Sequence, residues 1–261
     1  MPVITTTDQM GRHITLPDYP QRIVSLVPSQ TEFLVDIGLE DRLVGITRFC
    51  IHPKGLTARI TIIGGTKRFD FDVIDSLQPD LTIGNKEENY AEGIARLEQR
   101  YPVWMSDIVT VADALAMMNE LGRITGKQDQ VQSITNAIQL KPIPSVAKAA
   151  YFIWRKPYML AANGTFINEM LGCFGVENVF KNLERYPEIT LEDLAAAKPD
   201  FIFLSSEPYA FGEKHYEEFQ QVCPQAKVVL VDGEMFSWYG SRLRLANAYF
   251  TQLRQQLGIA R

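Results

Sequence analysis

The sequence lacks any apolar run that could cross a membrane, because no stretch approaches the roughly eighteen residues of a transmembrane helix. Its start, MPVITTTDQMGRHITLP, also lacks the basic beginning and apolar middle of an export signal. Two expectations follow from this start. The protein is cytoplasmic, or it is an exported protein whose leader has been removed.

Cysteine and histidine are scarce. The three cysteines, Cys50, Cys173 and Cys223, are odd in number and form no CxxC pair, so neither a disulfide framework nor a structural zinc site is expected. Cys50 and His52 come nearest to a metal-binding or reactive pair, but two ligands do not make a metal site. A redox or metal-cluster enzyme would depend on these two residues alone. The plainer interpretation is a semi-buried cysteine and a loop histidine near a prolyl turn.

Basic charge and catalytic motifs are also missing. The net charge is -5, the pI is about 5.3, and lysines and arginines are scattered, so nucleic acid is not an expected partner. The sequence contains no GxSxG elbow, no P-loop, no GxGxxG after a strand and no HExxH. Motifs for nucleophilic catalysis are therefore missing.

What the sequence does contain is an alternation of apolar strands and amphipathic helices. With 261 residues and 46% apolar content, the chain can form one large domain or two lobes. Residues 1–17 predict a hairpin, turning at Met10-Gly11, that covers a sheet edge. Ser29 and Glu32 have the spacing of a capping box for a helix that Gly38 closes. The strand-helix alternation predicts a mainly parallel sheet.

Residues 110–140 predict one long, nearly continuous helical segment, which Gly126 ends or kinks. Such a segment would reach roughly 45 Å at about 1.5 Å per residue. We interpret it as a strut between an N-terminal lobe, residues 1–109, and a C-terminal lobe, residues 141–261.

The second half repeats the order of the first. A strand at 149–153 is followed by a predicted loop at 154–158 and by a helix from Thr165 to Gly175. Asp72 lies seven residues before Pro79, and Glu192 lies seven residues before Pro199, so the two halves present equivalent acids. Acids also favour the first turn of any helix because of its dipole, which is the simpler explanation.

Aromatic and cationic residues gather in the loops that follow strands. In a two-lobed fold such loops face one cleft, where they would suit a wide, conjugated ligand with carboxylate, amide or phosphate edges. The alternative is that several of them pack between the lobes or cap the sheets. The candidate ligand-binding residues of these loops are Phe49, Cys50, Thr66, Lys67, Arg68, Trp154, Arg155, Tyr158, Trp238, Tyr239 and Arg242.

At this point the chain resembles the periplasmic substrate-binding proteins of ABC importers, in the class that carries cobalamin, ferric siderophores or haem. The resemblance is carried by RIVSLVPSQTE at 22–32, LQPDL at 77–81, AKPDF at 197–201, GVENVF at 175–180 and the 110–140 segment. It implies an α/β fold of two Rossmann-like lobes with mainly parallel sheets, bridged by a long helix that permits only a small closure.

The resemblance also implies a function. A monomer at the periplasm or cell surface would capture a metal chelate, cobalamin or a ferric chelate, without a resident cofactor and would deliver it to an ABC importer permease. Asp72 and Glu192 match the carboxylates that pair with permease arginines in such proteins, although Asp72 is one methylene shorter than the usual glutamate. A cytoplasmic corrinoid or metal chaperone or sensor of the same fold is the alternative.

Among these families, the cobalamin-binding members resemble the chain most, in the loops of Phe49, Thr66 to Arg68 and Trp238, with Thr66 where those proteins offer a tryptophan. A ferric siderophore would equally suit Arg155, Tyr239 and Arg242, because cations complement an anionic chelate. Haem would need an axial ligand, for which His52, Tyr158 and Tyr239 are the candidates.

Overall fold

The computed structural model describes residues 3–259, which form two compact α/β units. Unit 1 contains the chain up to Ile108, Ala112–Ile138 and Tyr239–Arg244, and unit 2 contains Val109–Val111, Gln139–Trp238 and the chain from Leu245. Residues 1, 2, 260 and 261, which the predicted hairpin and lobes include, lie outside the described residues. The lobe boundaries expected at 109/110 and 140/141 stay a prediction.

Unit 1 is built on a five-stranded parallel sheet, in which the strands lie in the order Thr61–Ile62 (β5), Leu43–Ile46 (β4), Ile23–Ser25 (β3), Leu81–Asn85 (β8) and Val103–Ser106 (β9). The short apolar strands β3 and β8 are buried throughout, as expected for central parallel strands. The elements of this unit in chain order are β1 (Ile4–Thr7), β2 (His13–Leu16), β3 (Ile23–Ser25), α1 (Pro28–Asp36), β4 (Leu43–Ile46), β5 (Thr61–Ile62), β6 (Gly64–Gly65), β7 (Arg68–Phe69), α2 (Phe71–Leu77), β8 (Leu81–Asn85), α3 (Ala91–Glu98), β9 (Val103–Ser106), α4 (Val111–Thr125) and α5 (Gln128–Ala137).

The N-terminal hairpin forms as predicted and covers a sheet edge. Strands β1 and β2 pair antiparallel, and Gly11 takes a positive φ of 78° in the turn between them. Beyond β1, the backbone N–H of Gln9 donates to the carbonyl of Met105 at 3.2 Å, and the N–H of Met105 donates to the Asp8 carboxylate at 3.0 Å. These hydrogen bonds give partners to the backbone carbonyl and N–H of Met105 at the outer edge of β9.

The capping box predicted at Ser29 and Glu32 is wrong. Val27 is the N-cap of α1, and no side chain caps this helix. The reason is Pro28, whose fixed φ and missing N–H suit the first turn of a helix and place Ser29 inside it. Gly38, with φ of 76°, closes the helix as predicted.

The 110–140 segment consists of two helices, α4 and α5, and the helical part ends at Ala137 rather than Leu140. Gly126 separates them with a positive φ of 71°, and a Cβ there would lie 3.2 Å from the ring of Tyr19. Both the backbone and the available space therefore favour glycine.

Unit 2 is built on a six-stranded mixed sheet, in which the strands lie in the order Glu188–Ile189 (β13), Tyr158–Leu160 (β11), Ala147–Trp154 (β10), Phe201–Ser205 (β14) and Lys227–Val231 (β15). The sixth strand, Val176–Asn178 (β12), pairs with β10. β10, β12, β14 and β15 run parallel, whereas β11 and β13 are antiparallel to their neighbours. The elements are β10 (Ala147–Trp154), β11 (Tyr158–Leu160), α6 (Phe166–Phe174), β12 (Val176–Asn178), β13 (Glu188–Ile189), α7 (Leu191–Ala197), β14 (Phe201–Ser205), α8 (Tyr216–Val222), β15 (Lys227–Val231), α9 (Glu234–Ser237) and α10 (Leu243–Leu257). The fold class expected from the sequence, two α/β halves with mainly parallel sheets, is confirmed.

The loop predicted at 154–158 is instead a hairpin turn. Trp154 is the last residue of β10 and Tyr158 is the first residue of β11, and these strands pair antiparallel. The helix predicted from Thr165 is present. The Thr165 hydroxyl accepts from the N–H of Asn168 at 3.2 Å, and Gly175, with φ of 91°, ends the helix.

The repeated Pro-Asp pairs have the same structural role in both units. The Asp80 carboxylate accepts from the N–H of Arg22 at 2.8 Å, and the Asp200 carboxylate accepts from the N–H of Lys148 at 2.8 Å. Each aspartate thus joins the start of its own strand to the start of the neighbouring strand. Within residues 3–259, no helix is both long and apolar enough to span a bilayer.

Candidate functional site

The loops at the carboxyl ends of the unit 1 strands carry an exposed aromatic ring. Phe49, which follows β4, is 52% exposed. A Cβ on Gly65 would lie 3.2 Å from Cε2 of this ring, so Phe49 lies directly against the Gly64-Gly65 backbone. Because Gly65 has no side chain, the Phe49 ring can pack against the backbone at this position while the rest of the ring faces solvent.

The adjacent 66–68 loop is anchored through its backbone and its lysine. The Asn89 side-chain amide donates to the carbonyl of Thr66 at 3.1 Å, and Lys67 Nζ donates to the carbonyl of Glu87 at 2.6 Å. Thr66 is half-buried, and Lys67 and Arg68 are exposed. The structure therefore brings four predicted residues, Phe49 and 66–68, to one set of loops.

Tyr239 and Arg242 lie in unit 1 but are engaged internally. Tyr239 is buried, its hydroxyl donates to Glu88 at 2.6 Å, and burial raises its pKa well above the usual value. Arg242 makes a two-point ion pair with Glu32, with Nε and Nη2 at 2.9 and 2.6 Å from the carboxylate oxygens. The Tyr239 hydroxyl and two nitrogens of Arg242 are thus engaged within unit 1.

Cys50 is a correction to the predicted site, because its side chain is fully buried. Its Sγ lies 3.1 Å from Thr31 Oγ1 and 3.3 Å from Thr47 Oγ1, and burial raises the pKa of the thiol. It therefore has no surface with which to contact a ligand. In the described part of the chain, no three histidine, cysteine, aspartate or glutamate residues form a group that could hold a metal ion.

Unit 2 presents its own exposed ring, Trp154, at the carboxyl end of β10. Trp154 is 40% exposed and meets Tyr209 edge-to-face, with ring centroids 5.6 Å apart. The buried His215 packs edge-to-face against Tyr209, and its Nε2 lies 3.4 Å from the tyrosine hydroxyl. Tyr209 thus supports the predicted residue Trp154.

Arg155 and Tyr158 share a partner. Arg155 Nε donates to Glu218 at 2.8 Å, and the Tyr158 hydroxyl donates to the same carboxylate. Burial, followed by the contact with Glu218, raises the pKa of Tyr158 to about 12. Through Glu218 these two residues connect the turn between β10 and β11 to α8.

Trp238 is buried, and its partner is a residue that the sequence analysis missed. The indole Nε1 donates to Glu207 Oε1 at 2.8 Å, and Ser237 Oγ donates to the same oxygen at 2.8 Å. The only sequence signal for Glu207 is an acid placed directly after an apolar strand, in SSEPY. Burial raises the pKa of Glu207.

The predicted docking acids occupy equivalent positions in the two units. Asp72 is the second residue of α2 and Glu192 is the second residue of α7, and both are exposed. The N-caps before them, Asp70 and Thr190, each accept from a backbone N–H in the first turn. Glu192 also lines an open depression of about 550 Å³ formed within unit 2.

The comparison with protein families agrees with this architecture. The sequence profile described as periplasmic binding protein matches residues 23–226, which is most of the chain. The protein therefore belongs to the periplasmic binding protein family.

Individual relatives and solved structures are consistent with this assignment. The chain is 27% identical to the vitamin B12-binding protein of Vibrio parahaemolyticus over 74% of each sequence. It is 25% identical to an uncharacterized ABC transporter substrate-binding lipoprotein of Bacillus subtilis, YvrC, over 92% of this chain and 82% of that protein.

Two solved structures share the fold. The periplasmic vitamin B12-binding protein BtuF of Vibrio cholerae superimposes with a TM-score of 0.76, at 21% identity, over 92% of this chain and 99% of that one. The periplasmic haem-binding protein BhuT, in complex with two haems, gives a TM-score of 0.76, at 21% identity, over 90% and 97% of the two chains. These similarities define the fold as that of the class III periplasmic binding proteins.

Proposed function

We propose that this protein is the substrate-binding component of an ABC importer and captures a metal-containing chelate, with a corrinoid such as cobalamin as the first candidate and a ferric siderophore as the second. The observation that carries the proposal is the pair of exposed rings, Phe49 and Trp154, each at the carboxyl end of a strand in a chain of this family. The protein catalyses no reaction and needs no resident cofactor. The names of its relatives, a vitamin B12-binding protein and a substrate-binding lipoprotein, support this role.

The chemistry of the loops supports a conjugated ligand with polar edges. An exposed ring offers a large contact area at a small entropic cost, because its side chain has few rotatable bonds. Arg48, Lys67 and Arg68 are exposed beside or near Phe49 and suit amide, carboxylate or phosphate oxygens.

Haem is less well supported than a corrinoid. Two of the three candidate axial ligands are occupied, because the Tyr158 hydroxyl donates to Glu218 and the Tyr239 hydroxyl donates to Glu88. A phenolate ligand would first have to lose its proton, which burial and the adjacent carboxylate oppose at both positions.

Titration calorimetry tests the ligand class directly. Purified protein is titrated with cyanocobalamin, a panel of ferric siderophores and haemin. We expect micromolar or tighter binding to cyanocobalamin. Absence of binding across the panel would contradict the proposal and favour a different ligand class.

The partner that we propose is the importer permease, contacted through Asp72 and Glu192. The double variant Asp72→Arg with Glu192→Arg is expected to abolish uptake of the ligand by whole cells while leaving its affinity unchanged. A matched control is Glu92→Arg with Asp129→Arg, since both acids are exposed in the first turn of other helices. Unchanged uptake in the first variant, or equal loss in the control, would refute the docking role.

We propose a periplasmic or cell-surface location and a monomeric state for the native protein. Cell fractionation followed by size-exclusion chromatography with light scattering checks both. Recovery of the protein from the cytosol would favour the alternative function, a corrinoid or metal chaperone or sensor.

A further inference from the structure

Glu207 is a partly buried acid of unit 2 whose carboxylate is held by two uncharged donors rather than by a cation. Its Oε1 accepts hydrogen bonds from Ser237 Oγ and Trp238 Nε1, each at 2.8 Å. A Cβ on Gly233 would lie 2.6 Å from Cγ of Glu207 and 2.5 Å from Ser205 Oγ. The glutamate is thus held between the loops that follow β14 and β15, and glycine at 233 makes the room.

No cation neutralises this carboxylate among the described residues. Both donors to Oε1 are uncharged, and no donor within residues 3–259 reaches Oε2. The nearby charged groups that act on Glu207 are acids, Glu234 and Asp232. Other partly buried glutamates differ, because Glu32 and Glu218 are each paired with an arginine.

Half of the carboxylate therefore remains available to a ligand. Oε2 is accessible from outside the protein, so an N–H group brought by a ligand can donate a hydrogen bond to it. A second carboxylate at the same place would be repelled, because like charges disfavour each other in a poorly solvated site. Tyr209, two residues along the same loop, supports the exposed ring of Trp154, so the acid lies close in sequence to the aromatic contact.

We propose that Glu207 is a specificity-determining residue whose Oε2 accepts a hydrogen bond from a carboxamide N–H of the ligand and excludes a carboxylate from that position. This inference rests on the proposed function and narrows its ligand to a chelate that carries carboxamides rather than carboxylates. Oε1 meanwhile positions the loop of Trp238.

The test compares cyanocobalamin with its monocarboxylic acid derivatives, in which one side-chain carboxamide has been hydrolysed to a carboxylate. Calorimetric affinities are measured for the unmodified protein, for Glu207→Gln and for the control Glu213→Gln, an exposed acid further along the same loop. In Glu207→Gln the amide oxygen remains the acceptor for Ser237 and Trp238, because both are donors, and the NH₂ replaces Oε2.

We expect Glu207→Gln to weaken cyanocobalamin binding about tenfold and to strengthen binding of at least one monocarboxylic acid by a similar factor, so that the preference is reversed. The control should leave both affinities unchanged. Unchanged thermal unfolding and tryptophan emission would confirm that the loop of Trp238 is intact in the variant.

The measurements distinguish failure of the Glu207 inference from failure of the proposed function. If the unmodified protein binds cyanocobalamin and Glu207→Gln leaves the ratio of the two affinities unchanged, the inference is overturned and the proposed function stands. If the protein binds haemin but not cyanocobalamin, the inference is overturned and the role in chelate capture survives. If no chelate binds, the proposed function fails and the inference fails with it.

Discussion

Arg242 and Glu32 form a two-point ion pair between residues 210 positions apart in the sequence. Both side chains are largely buried, at 10% and 15% exposure. Glu32 lies on α1. Arg242 belongs to a short segment, Tyr239–Arg244, that joins unit 1 although the chain on either side of it belongs to unit 2. Arg242 therefore fixes this segment on α1, and its role as a ligand contact stays a prediction.

We predict that Arg242→Met lowers the free energy of unfolding by about 3 kcal/mol, because it leaves the Glu32 carboxylate buried without a partner. Denaturant unfolding measures the change. The double variant Glu32→Leu with Arg242→Met should recover much of the loss, since it removes both charges. If the single variant is as stable as the unmodified protein, the pair contributes nothing to the fold.

Phe49 gives a prediction for ligand affinity without a change in stability. Because its ring is more than half exposed, Phe49→Ala should change the free energy of unfolding by less than about 0.5 kcal/mol. We expect Phe49→Ala to weaken binding of the chelate about tenfold, because the variant loses roughly one aromatic contact with the ligand. Ile51→Ala is the matched control, since Ile51 is 54% exposed in the same loop. Equal affinities for Phe49→Ala and the unmodified protein would remove Phe49 from the site.

Much of the fold follows from local sequence. The apolar runs of β3, β8 and β14 are buried, the glycines at 38, 126 and 175 take positive φ, and the Pro-Asp pairs mark the starts of equivalent strands. These features are set by residues close together in the chain, which is why spacing and residue type predict them. The return of residues 239–244 to unit 1 depends on contacts with α1 and could not be predicted from local sequence.

The candidate site was harder to predict for a physical reason. Phe49 and Trp238 look alike in sequence, because each is an aromatic residue in a loop after a strand. Tertiary packing makes Phe49 52% exposed and Trp238 7% exposed, and the acceptor that holds Trp238 is Glu207, 31 positions away. A sequence pattern identifies residues whose side chains suit a conjugated ligand. Which of these side chains are exposed depends on tertiary packing, which the local pattern does not contain.

The three cysteines yield a prediction about thiol reactivity. All three are buried and free, and burial raises the pKa of each, to about 12 for Cys173. A thiol is reactive as the thiolate, so the folded protein should react slowly with a disulfide reagent at pH 8, whereas denatured protein should titrate three thiols. Cys50→Ser should leave chelate affinity and metal content unchanged. Rapid labelling of one thiol in the folded protein would contradict the buried placement.

Glu120 gives a prediction about acid stability. The hydrogen bond from Arg123 is the main cause that lowers its pKa, and Thr6 of the N-terminal hairpin adds to the effect against opposition from burial. Because the folded-state pKa lies below the unfolded value, the stabilisation is present above the usual carboxyl pKa and is lost as pH falls through the folded value.

Glu120→Gln should therefore lower the free energy of unfolding by about 0.5–1 kcal/mol at pH 7, a modest figure because the pair is partly exposed. The difference from the unmodified protein should shrink as the pH falls below the usual carboxyl pKa, which thermal unfolding at a series of pH values would show. Asp129→Gln serves as the control, since it is exposed on α5. A difference that persists unchanged at low pH would argue against an electrostatic origin.

Gln78 and Lys198 provide a paired test of the internal repeat. They end α2 and α7 in the left-handed region, with φ of 45° and 49°, immediately before the two Pro-Asp pairs. A residue with a Cβ is strained there, so Gln78→Gly and Lys198→Gly should each raise the free energy of unfolding by about 0.5–1 kcal/mol, after the extra entropy of glycine in the unfolded chain is deducted.

The two gains should add, because the positions lie in different units and share no partner. Ala195→Gly, in the exposed interior of α7, is the control and should destabilise the protein by about 0.5–1 kcal/mol. If the units unfold in separate steps, each glycine should raise only the transition of its own unit. A loss of stability in either variant would show that the side chain at that position makes contacts worth more than the backbone strain it imposes.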